Sequence, residues 1–221
     1  MNDDSHERDA GTRESPVGSP VVRGDEAITG EHADDALGFD PDDPEDLSRA
    51  VSVVREFADQ SPTDDSIDVL AGAAACATLV RGEGSYTAAA DRAGTGVTVA
   101  FVRKWARVHD LPRPVRKHVA VGSIAPTAAK HIARVSGPGR YDLAWAVLDH
   151  DLTVRELRSI VGDVVDGQSI EATLLDHGVD PGTIELDLSK ETYHELRHRA
   201  TREDVAPERI VEQALASHFD E

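Results

Sequence analysis

SYTAAADRAGTGVTVAFVRKWARVHDLPRPVRKHVAVGSIAPTAAKHI, residues 85–132, is the stretch whose reading decides the fold. Small residues predict a helix from Tyr86 to Ala93 that stops at Gly94. After a turn, a second helix is predicted to begin near Thr98, carrying Val102, Trp105 and Ala106 inward at i, i+3, i+4. That phase leaves Arg103, Lys104 and Arg107 on the outer face. Two short helices joined by a turn, with cations outward on the second, form a helix-turn-helix pattern suited to lying against a polyanion.

Charge distribution points the same way. The 221-residue chain carries a net charge of −19, from 42 acids and 23 bases. Lysine is scarce: only Lys104, Lys117, Lys130 and Lys190 are present. This acid-rich, lysine-poor balance resembles that of proteins from salt-loving archaea. In molar salt the Debye length falls to about 3 Å, so repulsion among surface carboxylates is screened. The acidity is uneven, however. Residues 1–80 hold 20 acids and 5 bases and residues 161–221 hold 15 acids and 5 bases, whereas residues 81–160 hold 13 bases and 7 acids. Within 101–134, Arg103, Lys104, Arg107, Arg113, Arg116, Lys117, Lys130 and Arg134 face a single acid, Asp110. A basic island in an acidic chain is a stronger pointer to phosphate contact than the overall charge is against it.

Composition bounds the rest. At 39% hydrophobic and 29% charged the chain is expected to be soluble and globular, with room for one sizeable core or two small ones. Aromatics are only 4%, so the core should rest on Ala, Val, Leu and Ile. The single cysteine, Cys76, lies in the apolar run AGAAACATLV and reads as a buried small hydrophobe. One cysteine excludes an intrachain disulfide and suits a reducing cytoplasm. No membrane span or signal peptide is expected, because no apolar run reaches about 18 residues. Residues 1–43 are polar and acidic, with too little apolar surface to offset ordering entropy, and are expected to be disordered, with local docking through Val21, Val22 and Ile28. Arg23-Gly24-Asp25 matches an adhesion triplet in letters alone, and Asp40 to Glu45 lacks the spacing and turn glycine of a calcium loop.

Flanking the central stretch, Asp43-Pro44 opens a predicted helix with Leu47, Ala50, Val51, Val54, Phe57 and Ala58 on one face. A second, small-residue helix is predicted from Ser66 to Arg81, ended by Gly82 and Gly84. Downstream come Leu111-Pro112, a helix from Pro114 to Val121 stopped by Gly122, and a helix from Pro126 to near Gly137-Pro138. Val102 lies nine residues before Leu111, Gly122 lies ten after Pro112, and Ile124-Ala-Pro-Thr-Ala128-Ala129-Lys130 follows. With Leu152-Thr153-Val154-Arg155-Glu156-Leu157, this series resembles the DNA-binding helical domain of ParB and KorB partition-type proteins over residues 85 to 165. The turn before Val102 is two residues longer than that pattern, and Ala128 stands where the pattern has histidine. Nothing upstream resembles the arginine-rich box with which ParB proteins bind CTP. The resemblance therefore implies DNA binding without nucleotide hydrolysis or clamp sliding.

The last 39 residues change character after a turn-rich boundary, Gly178 to Gly182. Ile184, Leu186 and Leu188 alternate with Glu185 and Asp187, which predicts a strand. Ser189 can cap a helix containing Tyr193, Leu196 and Ala200, and Pro207 opens a helix with Ile210, Val211, Ala214, Leu215 and Phe219 on one face. Strand, helix, helix resembles the ribbon-helix-helix fold, an intertwined dimer. The outward positions Glu185 and Asp187 would repel phosphate, so this module is expected to dimerise rather than read DNA.

One enzyme motif is present in letters. His194-Glu195-Leu196-Arg197-His198 is an HExxH, the two-histidine zinc helix of metalloproteases. Tyr193, Leu196 and Ala200 claim the core face and leave the pair toward solvent, so an exposed structural helix is the simpler reading. A third ligand would have to come from the residues that follow, with Glu212 and His218 the main candidates, or from another domain. No dinucleotide loop, Walker lysine or Gly-x-Ser-x-Gly elbow is present. The chain is expected to be a non-enzyme, with no cofactor, metal, membrane or small-molecule partner.

The expectation is a mainly α protein. Its parts are a disordered tail (1–43), a ParB-like helix-turn-helix domain (44–166), a linker with a short helix (167–182) and a ribbon-helix-helix-like dimerisation module (183–221). It would bind double-stranded DNA as a homodimer, in the cytoplasm at the nucleoid, for transcription control or chromosome organisation. Thr98, Val99, Ala100, Arg103 and Lys104 would meet the major groove, and Arg107, Arg113, Arg116, Lys117 and Lys130 the backbone, with main-chain N–H groups at Ala128 assisting. Ile184, Leu186, Leu188, Tyr193, Leu196, Ile210, Val211, Ala214 and Leu215 would form the dimer interface. The alternatives are a protein-interaction adaptor on a scaffold that has lost DNA contact and, more remotely, the metalloprotease.

Overall fold

The computed structural model describes residues 38–59 and 66–220. Among these residues there are eleven helices and no strand, divided into one unit ending at Pro181 and another beginning at Gly182. Of the tail expected to be disordered, residues 1–37, with the docking of Val21, Val22 and Ile28, lie outside the described residues, whereas within 38–43 Phe39 is buried in the core.

Helix α1 (Pro44–Asp59) starts at the Asp43-Pro44 signal and buries Leu47, Ala50, Val51, Val54 and Phe57. Helix α2 (Ser66–Glu83) is the hub of the first unit. It is buried almost all round, from Ile67 through Leu79, which explains its run of alanines: a helix covered on every side needs small residues for several neighbours to approach. Around it pack α1, α3 (Tyr86–Ala93), α4 (Val99–His109) and α5 (Arg113–Ala120). The closest approach is at Gly72, where a Cβ would stand 2.3 Å from Cδ1 of Phe57. The helix does not end at Gly82, as the sequence predicts, but continues to Glu83. Gly82 is there for packing, since a Cβ would lie 2.5 Å from Leu47 Cδ2, and the stop comes at Gly84 with φ +73°.

The turn between α3 and α4 is held from both sides. Ser85 caps α3 by accepting from Ala88 N, and Gly94 ends it at φ +89°. Arg55 of α1 donates from Nε to the Ala93 carbonyl at 2.5 Å, Val97 is buried, and Thr98 caps α4 by accepting from Phe101 N at 3.1 Å. The extra length is therefore a fastened turn built on α1, not a slack one.

Helix α6 (Pro126–Ile132) is shorter than predicted. Val135 turns inward to the core and Gly137 takes φ +65°, so the chain bends before α7 (Gly139–Asp149). Helix α8 (Val154–Val165) opens with a capping box in which Thr153 and Glu156 satisfy each other's backbone N–H groups. Helix α9 (Ile170–Asp176) lies in the segment read as a linker, yet Thr173, Leu174 and Val179 are buried with the main core.

In the second unit, Ser189 caps α10 (Lys190–Glu203), Asp204 turns the chain in a left-handed conformation, and α11 (Pro207–Phe219) follows. The predicted strand at 184–188 is not formed. Its alternation is real, but a strand needs a ladder partner and the described residues supply none, and Ile184, Leu186 and Leu188 are exposed.

Candidate nucleic-acid interface

Helix α4 has the phase its sequence predicts. Val102, Trp105, Ala106 and Val108 are buried, while Ala100, Arg103, Lys104 and Arg107 are exposed. An aromatic cluster fixes its rotation: Phe57 of α1 meets Trp105 at 4.9 Å and Phe101 at 5.5 Å between ring centroids. Two of the outer cations start from this cluster. The Lys104 ammonium lies 4.7 Å from the Trp105 ring centroid and 5.3 Å from that of Phe101, and the Arg103 guanidinium sits 5.4 Å over Tyr86 of α3.

Helix α6 packs against α4 and brings a second set of cations alongside. Ala100, Arg103, Lys104, Arg107, Lys130, His131 and Arg134 together line a groove of about 350 Å³ with no carboxylate among the described residues of its wall. Burial, and then repulsion from Lys130, push the Lys104 pKa down. Burial and the charges of Lys130, Arg134 and Arg158 likewise push His131 below the ordinary histidine value. Arg134 and His131 are absent from the sequence-derived site. The signal was present: Arg134 follows Lys130 by four residues, one helical turn along the same face.

The one acid of the basic segment is used elsewhere. Asp110 Oδ1 lies 3.8 Å from Arg81 Nη2, and its backbone carbonyl accepts from Arg140 Nη1 at 2.7 Å, while Arg140 Nε donates to Val135 O at 2.7 Å. Burial raises the Asp110 carboxyl, against the opposing pull of Arg81, Arg140 and Arg116. Arg140 thereby ties the end of α4 to the start of α7, and no carboxylate is left to neutralise the groove.

Three expected contacts change. Arg116 is 3% exposed and donates from Nη1 to the His109 carbonyl at 2.9 Å, so it closes the C-terminus of α4 instead of reaching phosphate. Val99 is half-buried and packs against the core, because the cap at Thr98 turns the first helical residue inward. Ala128 is buried and its N–H is bonded to Ala125 O at 2.9 Å, so it has no free donor for an anion. His109, next to these contacts, is also buried, and burial with Arg116 and Arg81 beside it pushes its pKa down to about 3. Arg113 and Lys117 are exposed on α5, away from the groove lining, and His118 rests against Trp145 at 5.7 Å between centroids.

The remaining motifs are placed as follows. His194 and His198 share one face of α10 with ring centroids 6.5 Å apart, both exposed, and no group of three potential metal ligands occurs among the described residues. Of the expected interface residues, Ile210 is buried, Leu196 and Val211 are half-buried, and Ile184, Leu186, Leu188, Tyr193, Ala214 and Leu215 are exposed. Ala200 and Ile210 are the only buried residues among those described in the second unit, so its own two helices leave most of its apolar residues exposed. None of the described helices is long and apolar enough to cross a membrane.

No curated protein and no solved structure matches the chain. A protein family does, over residues 40–179, which hold all nine helices found among the described residues of the first unit and both walls of the groove. The chain belongs to the family described as "Family of unknown function (DUF7119)".

Proposed function

We propose that this protein is a sequence-specific DNA-binding protein, a transcriptional regulator or chromosome-organising factor of the cytoplasmic nucleoid, that acts as a homodimer. The observation that carries the reading is the groove between α4 and α6, where five Lys and Arg side chains converge with no acid among the described lining residues, in a chain of net charge −19. Ala100, Arg103 and Lys104 lie on the outer face of α4, with Thr98 at its cap, where a helix enters a major groove. Arg107 and Lys130 flank them toward the backbone, and the exposed Arg113 and Lys117 extend the cationic surface along α5. The uncovered apolar residues of the second unit support a second copy of the chain as its cover. A dimer doubles the footprint, which matters because salt weakens each phosphate contact through the counterion term.

Retention of genomic fragments by the purified full chain at high salt tests this reading. The double variant Arg103→Ala with Lys104→Ala should lose retention while sedimenting as the same dimer. Equal retention by the double variant would refute DNA reading through α4 and favour the adaptor, and a monomer at every concentration would refute the dimer.

A further inference from the structure

The groove between α4 and α6 differs from a merely positive surface. Two helices contribute its cations, Arg103, Lys104 and Arg107 from α4 and Lys130 from α6, with Arg134 just beyond. Lys130 is close enough to oppose the Lys104 charge, and neither has a carboxylate partner among the described residues of the groove wall. Lys104 is also oriented from behind by the Trp105 and Phe101 rings, which hold it without neutralising it. His131 lines the same groove, and its Nδ1 is buried with no hydrogen-bond partner. Such a cluster carries an electrostatic cost in the free protein that an anion would remove. At the mouth, Ala100 is small and exposed, so the space between the helices stays open.

We infer that this groove is a seat for one phosphate group, held jointly by Lys104 of α4 and by Lys130 and Arg134 from the α6 side, with Ala100 providing the clearance. The inference rests on the reading of this face as the DNA-contacting one, and narrows it to a fixed phosphate position that sets the register of α4 against the duplex. Arginine's planar fork and the lysine point charges suit a phosphate, whether a diester in a DNA backbone or a free monoester. The arriving negative charge would counter Lys130, Arg134 and Arg158, the cations that oppose a proton on His131, so the His131 ring reports occupancy.

The experiment follows the His131 ring resonances of the full chain, assigned with His131→Gln, while inorganic phosphate is added at ionic strength held constant with chloride. A saturable shift is expected. Arg134→Gln should weaken it by roughly tenfold, the loss of one charged hydrogen bond. Ala100→Leu, which leaves every charge in place but fills the opening, should weaken it comparably. A shift no larger than chloride gives, or an Ala100→Leu response equal to wild type, would overturn the seat in favour of diffuse attraction. A duplex oligonucleotide separates the two ligand sources. If it displaces phosphate and shifts the same resonances, the seat takes a backbone diester. If phosphate saturates but the duplex neither binds nor competes, the seat stands for a free monoester and the DNA reading fails. If the duplex binds without moving His131 and phosphate has no effect, the seat fails and the DNA reading survives.

Discussion

Mild acid should destabilise the first unit through His109. Burial, with Arg116 and Arg81 nearby, puts its folded-state pKa at about 3, against 6.5 for the free side chain. Above pH 6.5 the ring is neutral in both states and makes no pH-dependent contribution. Between 6.5 and 3 the unfolded chain binds a proton that the folded chain refuses, so stability falls as pH falls across that window. The loss is about 1.4 kcal/mol per pH unit well inside the window, or about 2 kcal/mol at pH 5. That is a substantial share of a domain's typical net stability of about 5–15 kcal/mol. Asp110, with its raised pKa, acts in the opposite direction at more acidic pH, because the folded state then takes up its proton first. Urea unfolding of the full chain at pH 7.5, 6 and 5, at one fixed salt concentration, measures the slope. His109→Leu should flatten it, and His131→Gln should leave most of it, since His131 is only half-buried. An equal midpoint at pH 7.5 and 5, or an unchanged slope in His109→Leu, would refute the assignment.

Two further outcomes test the packing around α2. Gly72→Ala replaces a poor helix former with the best one, a local gain of about 1 kcal/mol, yet drives a methyl into the Phe57 ring, an overpacking cost of about 1–3 kcal/mol. Because Phe57 also braces Phe101 and Trp105, net destabilisation should appear in urea unfolding together with weakened DNA retention, and a more stable variant would show that the ring yields easily. Cys76, fully buried with its thiol pushed up to about 12, should resist a thiol reagent at pH 8 until denaturant is added; rapid labelling of the folded chain would contradict its burial.

Helix positions were legible wherever a punctuating residue and an apolar phase agreed. Asp43-Pro44, Ser85, Gly94, Thr98 and Thr153 each mark a boundary in the structure, and the inward set Val102, Trp105 and Ala106 follows from spacing alone. Misreadings arose where a residue type has two uses. Gly82 reads as a stop but makes room for Leu47, and Arg116 reads as a surface cation but caps a carbonyl inside the fold. Those uses depend on which helices cross, and local sequence does not encode crossing. The groove is a sharper instance. Each wall could be read from its own helix, but that Lys104 and Lys130 face the same space is a fact of α4 packing against α6. In the second unit the alternation at 184–188 was legible as a pattern, while a strand needs a partner that the described residues do not supply.

Charge placement ties these observations together. An acidic chain gains little from a diffuse positive patch at high salt, because exposed charges beyond about 3 Å are screened at molar ionic strength. Short-range, partly desolvated contacts survive such conditions better, since screening is weaker where water and ions are excluded. The fold meets that requirement by two means. The Asp110 carboxylate faces Arg81 while its backbone carbonyl takes the Arg140 contact, and Lys104, Lys130 and Arg134 are gathered at one groove instead of spread over the surface. Of the eight bases between residues 101 and 134, one closes the core and five line the groove. That concentration, more than the number of positive charges, distinguishes this face from the rest of the chain.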